Sequence, residues 1–204
     1  MSSVARANES PELYTLTWGT VAVHIKGLTP LLQNKWTADA IRKIKNSEEG
    51  VKASGKQPRV PENEFADHQH KCGEHQWGHP AVAFKLAMER AAKPLSGMNM
   101  TDTRMAINVL GDENGLVPIT SDPPIMNAVP GHPQRNVTMM VYRPEYRNWE
   151  ADIIIEFDME MITAEQVINV LARAGRSPSI GAWRVEKGGS YGKFMVTGGV
   201  EGDR

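Results

Sequence analysis

A glycine-rich, basic segment, SIGAWRVEKGGSYGKFMV (residues 179–196), holds residue types that bind phosphate. Glycine allows backbone N–H groups to approach a phosphate closely, and an arginine fork matches phosphate oxygens. The four glycines and three cations of this segment are Gly181, Gly188, Gly189, Gly192, Arg184, Lys187 and Lys193. The alternative is a tight turn between a helix and a strand that needs glycine only for its conformation. Because a shorter connection would suffice for a turn, we predict a functional loop shaped by its glycines, with Arg184 as a binding residue.

A second cluster, DHQHKCGEHQWGH (residues 67–79), contains the side chains that zinc prefers. Neutral imidazole and thiolate are zinc ligands, and several of these residues would share one face of a helix. Two glycines oppose a continuous helix, and no zinc-finger spacing is present. We therefore expect a histidine-rich surface segment and no cofactor. Zinc remains an alternative that would suit a metal-dependent nuclease, with the ligands His68, Cys72, His75 and His79.

Motifs of nucleophilic and nucleotide-dependent catalysis are absent from the sequence. It contains no Gly-x-Ser-x-Gly elbow, Walker loop or dinucleotide-binding fingerprint, and its one cysteine, Cys72, lies in no known catalytic context. A non-enzymatic protein is therefore the favoured interpretation.

Basic residues recur near aromatic residues along the chain. Single-strand binders combine cations for the phosphates with rings that stack on bases, which is the same set of residue types. The predicted nucleic-acid contacts are Lys26, Lys35, Trp36, Arg42, Lys43, Arg143, Arg147, Arg184, Lys187 and Lys193. The alternative is that the rings border the core and the cations form a solvated face.

Overall charge excludes the simplest form of nucleic-acid binding. The chain has 23 Lys and Arg against 24 Asp and Glu, a net charge of −1, so no global basic field attracts a polyanion. Any such binding must come from a local patch. One cysteine, no signal-peptide pattern and no apolar run of membrane-spanning length favour a cytoplasmic protein without a membrane role.

The order of predicted elements indicates an α+β fold. An alternating strand begins near Tyr14, with a β-bulge expected at Gly19 and Thr20, and helices are expected over 80–94 and after a Thr163 capping box. A hairpin strand is expected at 105–109 and an irregular loop at 121–134, before strands in NVTMMVYRP and EADIIIEFD. This is the βαββαβ order of a ferredoxin-like or RRM-like core, an antiparallel sheet with helices on one face, whose other face is a candidate binding surface. We expect a flexible arm over residues 1–12 and one domain over 13–200, with an insertion at about 46–80.

Four strings together resemble a family of uncharacterised tailed-bacteriophage and prophage proteins. They are IKGLTPLL, HPAVAFKLAMERAAKPL, VYRPEYRNWEADIIIEFD and ITAEQVINVLARAGRSPSIGAWRVEKGGSYGKFMV, and the resemblance covers roughly residues 20 to 197. It implies a protein that acts in the cytoplasm of a bacterial host or is associated with the virion.

The βαββαβ order and the glycine-rich loop before the last strand more distantly resemble the RAMP superfamily. That superfamily includes the RNA-coating backbone subunits of CRISPR effector complexes, which polymerise side by side. The resemblance implies largely sequence-independent binding of single-stranded RNA or DNA by a homo-oligomer. Two alternatives remain open: an assembly protein that self-associates without nucleic acid, and the metal-dependent nuclease.

Overall fold

The computed structural model describes residues 14–51, 58–73, 76–93, 99–134 and 137–200, with ten strands and five α-helices in these ranges. The predicted arm over residues 1–12 lies outside them. In chain order the elements are β1 (Trp18–Gly27), β2 (Leu31–Leu32), α1 (Ala38–Glu48), α2 (Pro61–Asp67), β3 (Lys71–Cys72), β4 (Gln76–Pro80), α3 (Ala81–Ala92), α4 (Met100–Ala106), β5 (Ile107–Val109), β6 (Leu116–Ile119), β7 (Ile125–Gln134), β8 (Val137–Tyr146), β9 (Glu150–Asp158), α5 (Ala164–Arg176), a 3₁₀ turn (Val185–Lys187) and β10 (Phe194–Val200).

Four antiparallel strands in the order β10-β1-β9-β5 form the central sheet. With α3 between β1 and β5, and α5 between β9 and β10, this is the ferredoxin-like βαββαβ arrangement, which confirms the predicted fold class. Val23, Ile25, Ile153 and Ile155 belong to the same buried cluster as the apolar residues of both helices. The core therefore lies between one face of the sheet and the two helices.

Helix α5 begins and packs as its sequence predicts. Thr163 accepts a hydrogen bond from the Gln166 backbone N–H, and the Gln166 side chain accepts one from the Thr163 N–H, which completes the capping box. Val167, Val170 and Leu171 are buried against the sheet. The helix thus fixes the point at which the glycine-rich loop leaves the core.

Two insertions in the core form two further three-stranded sheets. The first insertion, between β1 and α3, contains β2, α1, α2, β3 and β4. The second, between β5 and β9, contains β6, β7 and β8. Their sheets have the orders β2-β8-β7 and β3-β4-β6, so each combines strands from both insertions. This pairing brings β8 next to β2 and, through it, close to the C-terminal loop.

Three local expectations were wrong. The expected loop at 121–134 contains β7, because Pro130 lies in an edge strand, where a missing N–H costs no ladder bond. Met105 belongs to α4, which Asn99 caps by accepting from two backbone N–H groups, so the strand begins only at Ile107.

The third wrong expectation is the bulge at Gly19 and Thr20. The ladder between β1 and β9 runs through Gly19 without a shift in register, and Trp18 lies half-exposed on the open face of the sheet.

No helix in the described ranges combines the length and the apolar character needed to cross a membrane.

Candidate functional site

A crevice of about 370 Å³ opens between α3 and the glycine-rich loop. Arg90 of α3 lies on one side, and the loop segment from Ser179 to Lys187 on the other. The insertions contribute His79 at the end of β4 and Arg143 of β8. All three parts of the fold, the core helix, the C-terminal loop and the insertions, therefore meet at this one site.

Arg143 is a partly buried cation without a described counterion. Its Nε and Nη1 atoms are shielded from solvent, and neither has a hydrogen-bond partner among the described residues. Burial lowers the pKa of the guanidinium, because desolvation disfavours the charged form. Its carbon Cζ lies 5.9 Å from the centroid of the Trp183 ring, a cation–π contact. A charge held in this way favours an anion as its partner.

A single carboxylate partly balances the other two arginines. Glu186 Oε1 lies 2.6 Å from Arg90 Nε, and Glu186 Oε2 lies 2.9 Å from Arg184 Nη2, so the carboxylate forms an ion pair with each arginine. Arg184 Nη1 also donates to the Gly181 carbonyl at 3.3 Å. With Lys187 and Arg143, four cations line the described part of the crevice, while Glu186 lies beside it, so the local charge is clearly positive although the chain as a whole is close to neutral.

Three of the four glycines use their backbone N–H groups in hydrogen bonds that fix the loop. Gly188 N–H donates to Val185, Gly189 N–H to Arg184 and Gly192 N–H to Pro30. A Cβ at Gly189 would collide with the Trp183 carbonyl oxygen, and one at Gly192 with that of Ile180. Gly181, with φ +80°, also packs closely on Leu31 and Leu32. The predicted loop-shaping glycines therefore build the loop, and the charge for an anion comes from side chains.

Two residues of the loop that are not glycine adopt positive φ. Ser179 has φ 53° and Trp183 has φ 50°, values that are uncommon for bulky side chains. The Ser179 hydroxyl donates to the Tyr191 carbonyl and accepts from the Val185 N–H. The backbone strain is thus held by hydrogen bonds within the loop.

Two histidines line the crevice in the neutral form. Burial lowers the pKa of His79 to about 3 and that of His70 to about 4, the nearby Lys35 adding to the effect at His70. The two rings meet edge to face with centroids 6.2 Å apart, and His79 also contacts Phe84. They contribute polarity but no charge at neutral pH.

The predicted zinc ligands fall in different surroundings. His79 packs against Phe84, whereas burial, together with the nearby carboxylate of Asp112, raises the pKa of the Cys72 thiol to about 11. Within the described ranges, no group of three or more His, Cys, Asp or Glu is placed to hold a metal. His75 lies outside those ranges, so the zinc alternative stays a prediction.

The structure brings together some of the predicted nucleic-acid contacts. Arg143, Arg184 and Lys187 line the crevice, and Lys35 lies near its His70. The exposed Trp36 follows Lys35 in the chain.

The other predicted contacts lie elsewhere. Arg42 and Lys43 both pair with Asp39 on α1, and Arg147 Nε pairs with Glu145 at 2.8 Å. The backbone of Lys193 bonds Thr29 and Leu28. That these residues contact nucleic acid, on a surface wider than the crevice, stays a prediction.

The open face of the central sheet, considered above as a binding surface, is acidic. The outward residues of β9 include Glu150, Asp152, Glu156 and Asp158. Lys26 is opposite Glu150, and His24 Nδ1 lies 2.7 Å from Asp152 Oδ1. A polyanion would be repelled here, so the basic crevice is the better candidate.

Sequence reasoning missed Arg90, Trp183 and Glu186. Arg90 follows Ala83 and Leu86 at helical spacing, so the three residues share one face of α3, and a search for cations on that face would have found it. Trp183 precedes Arg184 within the singled-out loop, where its exposure could not be inferred. No sequence pattern pointed to Glu186, because Arg90, the α3 residue with which it pairs, is far away in the sequence.

Neither a family model nor a curated protein matches the chain. Among solved structures, a chain of a Type III-B Cmr-beta complex bound to cognate target RNA is similar, with 12% identity and a TM-score of 0.48 over 90% of this chain. A chain of a CRISPR RNA-guided surveillance complex shows 9% identity and a TM-score of 0.35 over 87% of this chain. The chain spans 60% and 66% of those two chains' lengths. The resemblance to tailed-phage proteins finds no counterpart here and stays a prediction.

Proposed function

We propose that this protein binds single-stranded nucleic acid, without enzymatic action and largely without regard to sequence, through the crevice between α3 and the glycine-rich loop. The observation that carries the proposal is the partly buried guanidinium of Arg143, whose shielded Nε and Nη1 have no described partner and which faces a site with three further cations. An uncompensated buried charge is costly unless a ligand supplies its partner. A phosphodiester supplies such a partner at every nucleotide.

The dimensions and chemistry of the crevice favour a single strand over a duplex. A cavity of about 370 Å³ accommodates little more than one nucleotide unit. In a duplex the bases are stacked and paired, so a single nucleotide is not free to enter such a cavity. The cations reach phosphates, which carry no sequence information. The crevice alone carries this proposal.

A fluorescence anisotropy titration with labelled 20-nucleotide single strands of RNA and of DNA tests the proposal. A 20-nucleotide strand continues past the crevice on both sides, so the four lining cations together neutralise up to four of its phosphates. This predicts a slope of log affinity against log salt of about −2 to −3, from about 0.7 counterions per phosphate. Strands of different sequence should bind within a few-fold of one another, and the matching duplex more weakly. Absence of salt-sensitive binding to either polymer would refute the proposal.

We further propose that the chain acts as a side-by-side oligomer. The observation in favour is α1, none of whose residues is buried and whose Ile41 and Ile44 remain about 43% and 45% exposed. Contact with a second copy would remove this apolar surface from water. A host-cell or virion location in a phage infection rests on the sequence resemblance alone.

Sedimentation velocity of the nucleic-acid-free protein, with an Ile44→Glu variant, tests self-association. Concentration-dependent oligomers that the variant loses are expected. A monomer at all concentrations, with or without a bound strand, would contradict the oligomer. Oligomers without any binding of nucleic acid would instead favour the assembly-protein alternative.

A further inference from the structure

The ring of Trp183 lies between the partly buried cation of Arg143 and the open crevice. Arg143 Cζ lies 5.9 Å from the ring centroid, yet 38% of the residue remains exposed. Trp149, by contrast, is fully buried in the core. Part of the Trp183 ring is therefore available to a ligand that enters beside Arg143.

The loop holds this ring in place by means that cost conformational energy. Trp183 adopts φ 50°, and its carbonyl accepts from the Tyr191 N–H at 3.2 Å. The adjacent Ala182 N–H donates to the Leu32 carbonyl at 2.8 Å, which fastens the loop to β2. Gly189 packs so tightly against the Trp183 carbonyl that a Cβ has no room. Backbone strain beside a cavity is typical of a residue that is held in its binding position before the ligand arrives.

We infer that Trp183 is the base-stacking residue of the crevice, and that it takes one nucleobase on its exposed surface while Arg143 takes the adjoining phosphate. This inference rests on the proposed function and adds the chemical class of group that each side chain meets. Every base presents a π-face, so stacking on Trp183 keeps the binding independent of sequence. Indole is the strongest cation–π acceptor among the side chains, so the contact with Trp183 holds the Arg143 guanidinium in position for the phosphate.

A matched pair of substitutions separates stacking from apolar packing. Trp183→Phe keeps a flat ring, whereas Trp183→Leu keeps apolar bulk without one, and both replace the residue at the same positive φ. With a labelled 20-nucleotide single strand, we expect Trp183→Phe to bind within about threefold of wild type, and Trp183→Leu to bind about tenfold to a hundredfold more weakly. The salt slope should stay unchanged in both, since no cation is lost.

An abasic strand of the same length, with its phosphates intact, identifies what the ring contacts. The affinity of wild type for the abasic strand should be lower than its affinity for the normal strand, by the same factor by which Trp183→Leu weakens binding of the normal strand. On the abasic strand, wild type and Trp183→Leu should have equal affinities. An equal loss by Trp183→Leu on both strands would show that Trp183 only shapes the loop, and would overturn the inference.

The remaining outcomes distinguish this inference from the proposed function. If Trp183→Leu binds the normal strand as tightly as wild type, stacking on Trp183 is refuted while binding in the crevice stands. If wild type binds neither strand, the proposed function itself fails. Thermal unfolding of both variants, with midpoints close to each other, shows that the comparison is made between folded proteins.

Discussion

The Arg143 guanidinium lies over the Trp183 ring, with Cζ 5.9 Å from the ring centroid, and thereby joins an inserted strand to the C-terminal loop of the core. Arg143 belongs to β8, which reaches the site because β8 pairs with β2 beside the loop. Trp183 occupies its position because the neighbouring Ala182 N–H donates to the Leu32 carbonyl of β2, the strand with which β8 pairs. The site therefore depends on a contact between parts of the chain that are distant in sequence.

Removing the Arg143 charge should not destabilise the fold. Because its Nε and Nη1 have no described partner, Arg143→Met exchanges an uncompensated, partly buried charge for apolar volume. We expect a free energy of unfolding that is unchanged or raised by up to about 1 kcal/mol, measured by urea denaturation. A loss of several kcal/mol would mean that Arg143 has a structural partner, and would weaken its assignment to ligand binding.

Removing the Glu186 charge should tighten binding. Glu186→Gln releases Arg90 and Arg184 from their shared carboxylate and raises the local positive charge by one. We expect affinity for a single strand to rise by about threefold to tenfold at low salt, with an effect that shrinks as salt rises. Glu165→Gln, an exposed carboxylate in the first turn of α5, is the control and should change affinity less than twofold. Weaker binding by Glu186→Gln would contradict the account.

Two glycines with similar φ but different surroundings should respond differently to alanine. Gly188 has φ +79° and open space around it, whereas a Cβ at Gly192, with φ +67°, would collide with the Ile180 carbonyl. Gly188→Ala should cost about 1 kcal/mol of unfolding free energy, the cost of the conformation alone. Gly192→Ala should cost at least about 2 kcal/mol more, because backbone must move. Equal losses in urea denaturation would show that the loop is not closed as described.

Buried His79 should make stability fall in mild acid. Its pKa is lowered to about 3, so between that value and the ordinary 6.5 the unfolded chain binds a proton that the native protein does not. The unfolding free energy should therefore decrease as the pH falls from 7 to 5, with about 2 kcal/mol due to His79. His79→Gln should be less stable at pH 7 but show a correspondingly smaller decrease. Parallel pH profiles of the two proteins would contradict the burial of a neutral imidazole.

Periodicity and capping predicted the core of the fold. The βαββαβ order, the Thr163 capping box and the apolar stripe of α5 all follow from local residue spacing. The two extra sheets did not, because they pair strands of one insertion with strands of the other, and local patterns do not reveal such pairing. Pro130 in particular suggested a loop, although an edge strand accommodates it.

The candidate site was predictable only in part. The basic glycine-rich loop could be singled out, since Arg184 and Lys187 lie within one short segment. That Arg143 and Arg90 join them depends on tertiary packing, and that Glu186 offsets two of the arginines depends on geometry. The sequence also favoured the open sheet face as a surface, and only the β1–β9 register shows that acids line it.

The most direct test compares Arg143→Met with Arg173→Met in single-strand binding over a range of salt concentrations. Arg173 is an exposed arginine of α5 outside the crevice lining, so both variants lose the same charge. The account predicts that Arg143→Met lowers affinity at least about tenfold and makes the salt slope shallower by about 0.7, while Arg173→Met stays within about twofold of wild type. Equal affinities of the two variants, with both folded, would contradict the claim that the crevice binds the strand.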